Sequence, residues 1–227
     1  MNRSAPPTCW PVRRLVFDLD GTLVDSASDL TAALNHVLSR LGRPTLSRQT
    51  VRHLVGRGAR ILIEQGLSLT GGTHGAPPIE ALLPDFLDYY TRHIADDTQL
   101  FPGTVDMLDW AEEAGMVLAV CTNKPQALSE MLLDELGVRQ RFATVIGGDA
   151  LPERKPHRIH LDTVLDAMGD GPALLLGDTV TDVAAARNSG VPVGLVAFGF
   201  SPVPAQELSA DFILHDMAAL PRHIRPA

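Results

Sequence analysis

A doubly wound α/β fold, a mostly parallel sheet with helices on both faces, is the class this sequence predicts, together with an all-helical unit inserted near its amino end. Three observations carry the prediction. The run Leu15-Val16-Phe17 is apolar without alternation, as in a strand buried on both faces, and it stops at Asp18-Leu19-Asp20-Gly21-Thr22. From Leu100 onward, short apolar runs alternate with helical periods, the pattern of βαβ units. Between these regions the spacing is helical, so an insertion of about 75 residues splits the sheet domain just after its first strand. Residues 12–23 and 98–227 are expected to form the sheet domain and 24–97 the inserted helices.

Met1 to Pro11 contains Pro6, Pro7 and Pro11 but no apolar run of signal-peptide length, and is expected to be a flexible tail. After the first strand, Asp25 and Ser26 are both able to cap a helix over Ala27 to Leu41. That helix aligns Leu30, Ala33, Leu34, Val37, Leu38 and Leu41 on one face and stops at Gly42 and Pro44. Ser47 can cap a second stretch running through Leu67, interrupted at Val55-Gly56-Arg57-Gly58-Ala59. Pro78 to Ile94 reads as a third helix, after a turn-rich loop from Thr70 to Pro78. Strands then follow at Val117 to Cys121, Thr144 to Ile146, Ala173 to Leu176, Val193 to Val196 and Phe212 to Leu214. They alternate with helices at Thr104 to Glu113, Pro125 to Leu136, Arg158 to Met168 and Thr181 to Asn188.

A chain of 227 residues can bury a full core without a metal staple. The net charge of −8 and the scattered basic residues exclude a broad nucleic-acid footprint, so an anionic substrate must be captured locally. No stretch approaches the roughly 20 apolar residues that span a bilayer, and no membrane partner is expected. Cys9 and Cys121 stand far apart and give no disulfide framework, which suits a reducing compartment and makes the cytoplasm the expected location.

In open parallel sheets, ligands bind beyond the carboxyl ends of the strands. Asp18 and Asp20 sit at such an end, and so do Cys121-Thr122-Asn123-Lys124, Glu153-Arg154-Lys155-Pro156 and Gly177-Asp178-Thr179-Val180-Thr181-Asp182. A calcium loop beginning at Asp18 fails on spacing, since its sixth position is Leu23 and its twelfth Asp29. Thr122 and Asn123 suit helix capping as well as anion binding, because both uses fall at a helix amino end. Cys121 reads as a small buried hydrophobe. His157 and His160 lack a third ligand at suitable spacing and are expected to be surface histidines.

This ordered set resembles the haloacid dehalogenase superfamily, whose motifs are an Asp-x-Asp after the first strand, a Ser or Thr, a Lys, and a final acidic motif. The likeness covers nearly the whole chain and implies a Rossmann-like core with a small helical cap inserted after the first motif. It also implies that Asp18 is a nucleophile forming an aspartyl-phosphate, and that Asp20 is first the acid and then the base. By the same resemblance, Mg²⁺ would be held by the Asp18 carboxylate, the Asp20 backbone carbonyl and the Asp178 carboxylate, with Asp182 behind them holding Lys155 or a metal-bound water. Thr122, the Asn123 amide, Lys155 and the Gly21 backbone N–H would meet the phosphoryl oxygens. Charge agrees with a cation: carboxylates brought to 4 Å repel by roughly 4 kcal/mol per pair at an effective dielectric of 20.

The second aspartate marks phosphatases over dehalogenases, which need no leaving-group proton. Within the phosphatases, the segments Phe17 to Ser26, Val55 to Arg60, Phe101-Pro102-Gly103 and Gly147-Gly148-Asp149 are most similar to those of phosphoglycolate phosphatases. Two departures bear on the substrate. Arg57 stands where those enzymes usually carry a small polar residue, and His157-Arg158-Ile159-His160 where they carry prolines or small residues. Arg57 and Arg60 are therefore candidate contacts for a carboxylate-bearing or larger substrate, or equally solvated helix-end charges. The expected function is hydrolysis of a small-molecule phosphate monoester; the alternatives are a sugar phosphomutase and a phosphate-binding protein without turnover.

Overall fold

The computed structural model describes residues 9–227. The chain enters through β1 (Trp10–Val12), which pairs in parallel with β10 (Ile224–Pro226), and runs straight into β2 (Arg14–Phe17). This corrects the end of the expected flexible tail over 1–11, because Trp10 and Pro11 belong to a strand. The Trp10 N–H donates to the His223 carbonyl at 2.7 Å and Val12 packs in the core, while Pro11 is tolerated because the pair is only two strands wide. Residues 1–8 lie outside the described residues.

After β2, the short strands β3 (Val24–Asp25) and β4 (Gln99–Leu100) pair antiparallel. Between them lie α1 (Ala27–Arg40), α2 (Arg48–Arg52), α3 (Ala59–Leu69) and α4 (Ile79–Arg92). Helix α1 buries Leu30, Ala33, Leu34, Val37 and Leu38, the face its spacing defines. The Asp29 carboxylate in its first turn accepts from the Thr98 N–H at 2.9 Å and the Thr98 hydroxyl at 2.7 Å, tying the two crossings together. Ser47 caps α2 by accepting from the Thr50 N–H at 3.2 Å.

The remaining strands are β5 (Val117–Cys121), β6 (Thr144–Ile146), β7 (Ala173–Gly177), β8 (Val193–Val196) and β9 (Phe212–Leu214). With β2 they form a six-stranded, all-parallel sheet in the order β6-β5-β2-β7-β8-β9. The chain winds outward from β2 through β5 to β6, then returns to the other side of β2 for β7. Its direction of winding reverses beside β2, which opens a crevice at the carboxyl ends of β2, β5 and β7.

Successive residues of β2 serve opposite faces, which is why the strand is apolar without alternation. Leu15 and Phe17 pack with residues of α5 (Thr104–Glu113) and α6 (Gln126–Glu135) in one cluster. Val16 joins α7 (Arg158–Ala167) and α8 (Val180–Ser189) in the other. Each such side chain contributes roughly 1.5–3 kcal/mol by leaving water, so the central strand is anchored from both sides and its carboxyl end is held rigidly.

Candidate active site

The ladder of β2 extends one residue beyond Phe17, where the Asp18 N–H donates to the Leu176 carbonyl at 2.9 Å. The chain then turns sharply. The N–H groups of Thr22, Leu23 and Val24 all donate to the Leu19 carbonyl, and the Gly21 N–H donates to the Val24 carbonyl at 2.9 Å. Gly21 has φ +85°, and a Cβ there would stand 2.3 Å from Asp178 Oδ2, so glycine is required both for the turn and for the approach of the neighbouring acid. Its N–H is spent inside the turn, which corrects the expectation that it meets a phosphoryl oxygen.

Asp18, beyond β2, and Asp178, beyond the adjacent β7, are buried beside each other. Lys155 comes from the loop between β6 and α7, and its ammonium lies 3.0 Å from Asp18 Oδ1 and 2.6 Å from Asp182 Oδ1. Asp18 Oδ1 also accepts from the Leu19 N–H at 2.7 Å. Asp178 Oδ2 accepts from the Phe200 N–H at 2.6 Å.

The carboxylates of Asp18, Asp178 and Asp182 each bring an oxygen within 4.8 Å of the others. Asp182 is nonetheless committed elsewhere. Its Oδ1 holds Lys155, and its Oδ2 accepts from the Thr179 N–H at 3.0 Å and the Thr179 hydroxyl at 2.8 Å, closing the amino end of α8. The pair left open to a ligand is Asp18 and Asp178.

Electrostatics follow from this crowding. Burial, joined by the charge of Asp182, pushes the Asp18 carboxyl up to about 6 against the pull of Lys155. Asp178 is raised well above the carboxylate range by burial and by its two acidic neighbours. Burial works against the charge of Asp182 too, but Lys155 and the Thr179 donors outweigh it and hold the group below its ordinary value. Three buried carboxylates thus share one buried ammonium, and the donor set is all oxygen, which fits a hard divalent cation between Asp18 and Asp178.

Asp20 points into a different environment. Its Oδ1 accepts from the Ser26 hydroxyl at 2.6 Å, and its two oxygens lie 3.2 and 3.3 Å from the Lys124 ammonium. Lys124 also donates to the Tyr90 hydroxyl of α4 at 2.6 Å. Sequence reasoning missed Lys124 and Tyr90 as site residues. The signal available was position: Lys124 immediately follows Thr122 and Asn123 at a strand end.

Thr122 is buried at the end of β5 and lines, with Asp18, Asp20, Asn123 and Lys124, a cavity of about 40 Å³ beneath α3 and α4. Asn123 donates its amide protons to the carbonyls of Gly56, at 3.3 Å, and Lys155, at 3.2 Å, while its buried Oδ1 has no partner among the described residues. It therefore ties the loop before α3 to the core, where a free amide donor to phosphate was expected. Neither Arg57 nor Arg60 lines the cavity: Arg57 is exposed, and Arg60 pairs with Glu80 at 2.5 Å. Cys121 is buried, as its apolar strand requires, and burial pushes its thiol up to about 12.

His160 is a correction. It is fully buried, its Nδ1 accepts from the Lys155 backbone N–H at 3.1 Å, and its Nε2 meets the Gly147 carbonyl at 3.0 Å. Burial lowers its pKa, so the neutral ring braces the loop that carries Lys155. His157 is exposed and caps α7, its Nδ1 accepting from the Ile159 N–H at 3.3 Å.

Comparison with known proteins agrees with this geometry. The sequence profile of the haloacid dehalogenase-like hydrolases matches residues 15–196. A phosphoglycolate phosphatase of Caulobacter vibrioides is 42% identical over 92% of this chain and 89% of its own, and one of Agrobacterium fabrum is 39% identical over 90% and 89%. The crystal structure of a predicted phosphoglycolate phosphatase from Haemophilus somnus superposes with a TM-score of 0.85 at 28% identity, covering 92% of this chain and 96% of that one. Profile, relatives and the ordered strand-end residues coincide, and the chain belongs to the haloacid dehalogenase-like hydrolase family.

Proposed function

We propose that this protein is a Mg²⁺-dependent phosphomonoester hydrolase that works through an aspartyl-phosphate on Asp18, with 2-phosphoglycolate or a similar small phosphorylated acid as substrate. The observation that carries the reading is the meeting of Asp18, Asp178 and Lys155 at the point where the winding of the sheet reverses, with Asp20 turned to a separate set of donors. The relatives named for phosphoglycolate support the choice of substrate.

Asp18 Oδ1 is held by Lys155 and the Leu19 N–H, which fixes the carboxylate for attack on phosphorus by its other oxygen. As that P–O bond forms, the bond to the substrate alcohol breaks, and Asp20 gives its proton to the departing oxygen. Asp20 then takes a proton from water, which attacks the acyl phosphate, releases inorganic phosphate and restores Asp18. Thr122 and Lys155 donate to the phosphoryl oxygens. The Asp18 and Asp178 carboxylates and the Asp20 backbone carbonyl would hold Mg²⁺, which would supply neutralisation of the negative charge there.

Residues 24–97 serve as a cap. A cavity of about 40 Å³ holds only about three water molecules. Outward movement of the helices on the β3 and β4 crossings would widen it for a substrate. Free cysteines agree with a cytoplasmic location, and among the described residues no helix is long and apolar enough to cross a membrane.

The test is release of inorganic phosphate from 2-phosphoglycolate by purified protein, with and without EDTA. Chelator-sensitive release is expected, and Asp18→Asn, nearly isosteric but poorly nucleophilic, lowers it by at least ~10³-fold while the chain stays folded. No release from any of a panel of phosphate esters removes the hydrolase reading. Release undiminished in Asp18→Asn removes the nucleophile.

A further inference from the structure

We propose that Lys124 is the specificity-determining residue of this site: its ammonium receives the carboxylate of a leaving group that is an α-hydroxy acid, and Tyr90 of α4 holds it in place. The inference rests on the hydrolase reading above. Among the described residues lining the cavity, Lys124 is the sole cation, and Arg57 and Arg60 lie outside it. The wall opposite the sheet is apolar, formed by Leu30, Leu62 and Phe86. A carboxylate entering such a space loses its water and needs a paired charge and a hydrogen-bond donor.

The position of Lys124 selects the class of acid. Its ammonium lies 3.2 and 3.3 Å from the oxygens of Asp20, the group that delivers a proton to the ester oxygen of the leaving alcohol. In a phosphorylated α-hydroxy acid the carboxylate carbon is two bonds from that ester oxygen, so protonation at one and ion pairing at the other are served by neighbouring side chains. An ammonium has three N–H donors. One direction is used toward Asp20 and one toward the Tyr90 hydroxyl at 2.6 Å; the third has no acceptor among the described residues. The side chain is buried, and its ammonium also lies 4.4 Å from the Tyr90 ring centroid, so it is fixed before substrate arrives.

The experiment compares 2-phosphoglycolate with 2-hydroxyethyl phosphate, which replaces the carboxylate with an uncharged hydroxymethyl group. The wild type is expected to favour the acid roughly 100-fold in kcat/KM, mostly through KM. Lys124→Met slows both reactions, because it also touches Asp20, but brings the ratio to within about tenfold of unity, and Lys124→Arg keeps most of the preference. Tyr90→Phe, which keeps the packing and removes the anchoring hydroxyl, lowers the ratio several-fold. If Lys124→Met fails to fold by circular dichroism, the wild-type ratio and Tyr90→Phe decide. A wild type that hydrolyses both esters equally, or a Lys124→Met or Tyr90→Phe protein with the preference intact, overturns the assignment and leaves the hydrolase reading standing. A wild type that releases phosphate from neither ester overturns both.

Discussion

Replacing Asp182 with asparagine separates a strap on Lys155 from a metal ligand, two roles that the three-acid cluster alone does not distinguish. Asparagine keeps the volume and an acceptor for the Thr179 donors but removes the charge that faces Lys155 at 2.6 Å. At an effective dielectric of 20, that pair is worth about 6 kcal/mol of attraction. Lys155 still keeps Asp18 at 3.0 Å, and the lost attraction is partly offset because one fewer carboxylate is desolvated. The net loss is therefore about 2–3 kcal/mol, or a fall in Tm of roughly 4–12 °C for a chain of this size. The folded-state pKa of Asp182 lies below its unfolded value, so its contribution is complete above about pH 4 and is lost as pH falls through the folded value. The gap between wild type and Asp182→Asn should thus be full at pH 7.5 and narrow in acid. Thermal melts by circular dichroism, with and without 10 mM-scale Mg²⁺, read both quantities. A lowered Tm with the Mg²⁺-induced shift preserved is expected; an unchanged Tm with that shift abolished would refute the strap and make Asp182 a ligand.

Two further outcomes follow from the same site. Gly21→Ala places a Cβ 2.3 Å from Asp178 Oδ2 at φ +85°, which should cost about 2–4 kcal/mol in urea unfolding and displace the Asp178 carboxylate, whereas Gly42→Ala, at φ +67° with nothing within 4 Å, should cost about 1–2 kcal/mol and spare activity. Equal effects on activity would remove the argument from close approach. The stabilisation by Mg²⁺ should be larger at pH 8 than at pH 5.5. Burial holds the Asp18 carboxyl up to about 6 and raises Asp178, so protons compete with the cation as pH falls. The metal-free protein changes in the opposite sense, because raised acids bind protons in the folded state first and gain stability from them as pH falls through 6. A Mg²⁺ shift in Tm that is the same at both pH values would count against Asp18 and Asp178 as the binding pair.

The sheet and its helices were legible because their signals are local. Apolar runs without alternation mark strands covered on both faces, and helix α5 spans Thr104–Glu113, the range its spacing defines. The strand-end residues Asp18, Thr122 and Asp178 were legible because a parallel sheet sends every strand end to one edge. What local pattern does not carry is the partner across the fold. Lys124 carries no role in the sequence beyond its place at a strand end, yet it is buried because Asp20, 104 positions earlier, and Tyr90 of α4 close over it. The burial of His160 could have been read, since it shares a face of α7 with Leu161, Val164 and Leu165. Arg57 and Arg60 mislead for the opposite reason: the loop before α3 approaches the site through the Gly56 carbonyl and leaves both side chains outside.

The inserted helices do more than cover the cavity, because three of the contacts they make with the sheet domain lead to groups of the site. From α2, Arg52 donates to the carbonyls of Phe198 and Gly199, and the adjoining His53 ring meets the Phe200 carbonyl at 3.2 Å. The N–H of Phe200 is the donor that holds Asp178 Oδ2. From the loop before α3, the Gly56 carbonyl accepts from Asn123, whose other amide proton holds the Lys155 carbonyl. From α4, the Tyr90 hydroxyl accepts from Lys124, which grips Asp20. One path reaches Asp178, the carboxylate proposed to hold the metal, one the lysine that fixes Asp18, and one Asp20, the acid proposed to move protons. Outward movement of these helices would release the donors that set all three, so closing over a substrate and ordering the acids that act on it are the same event.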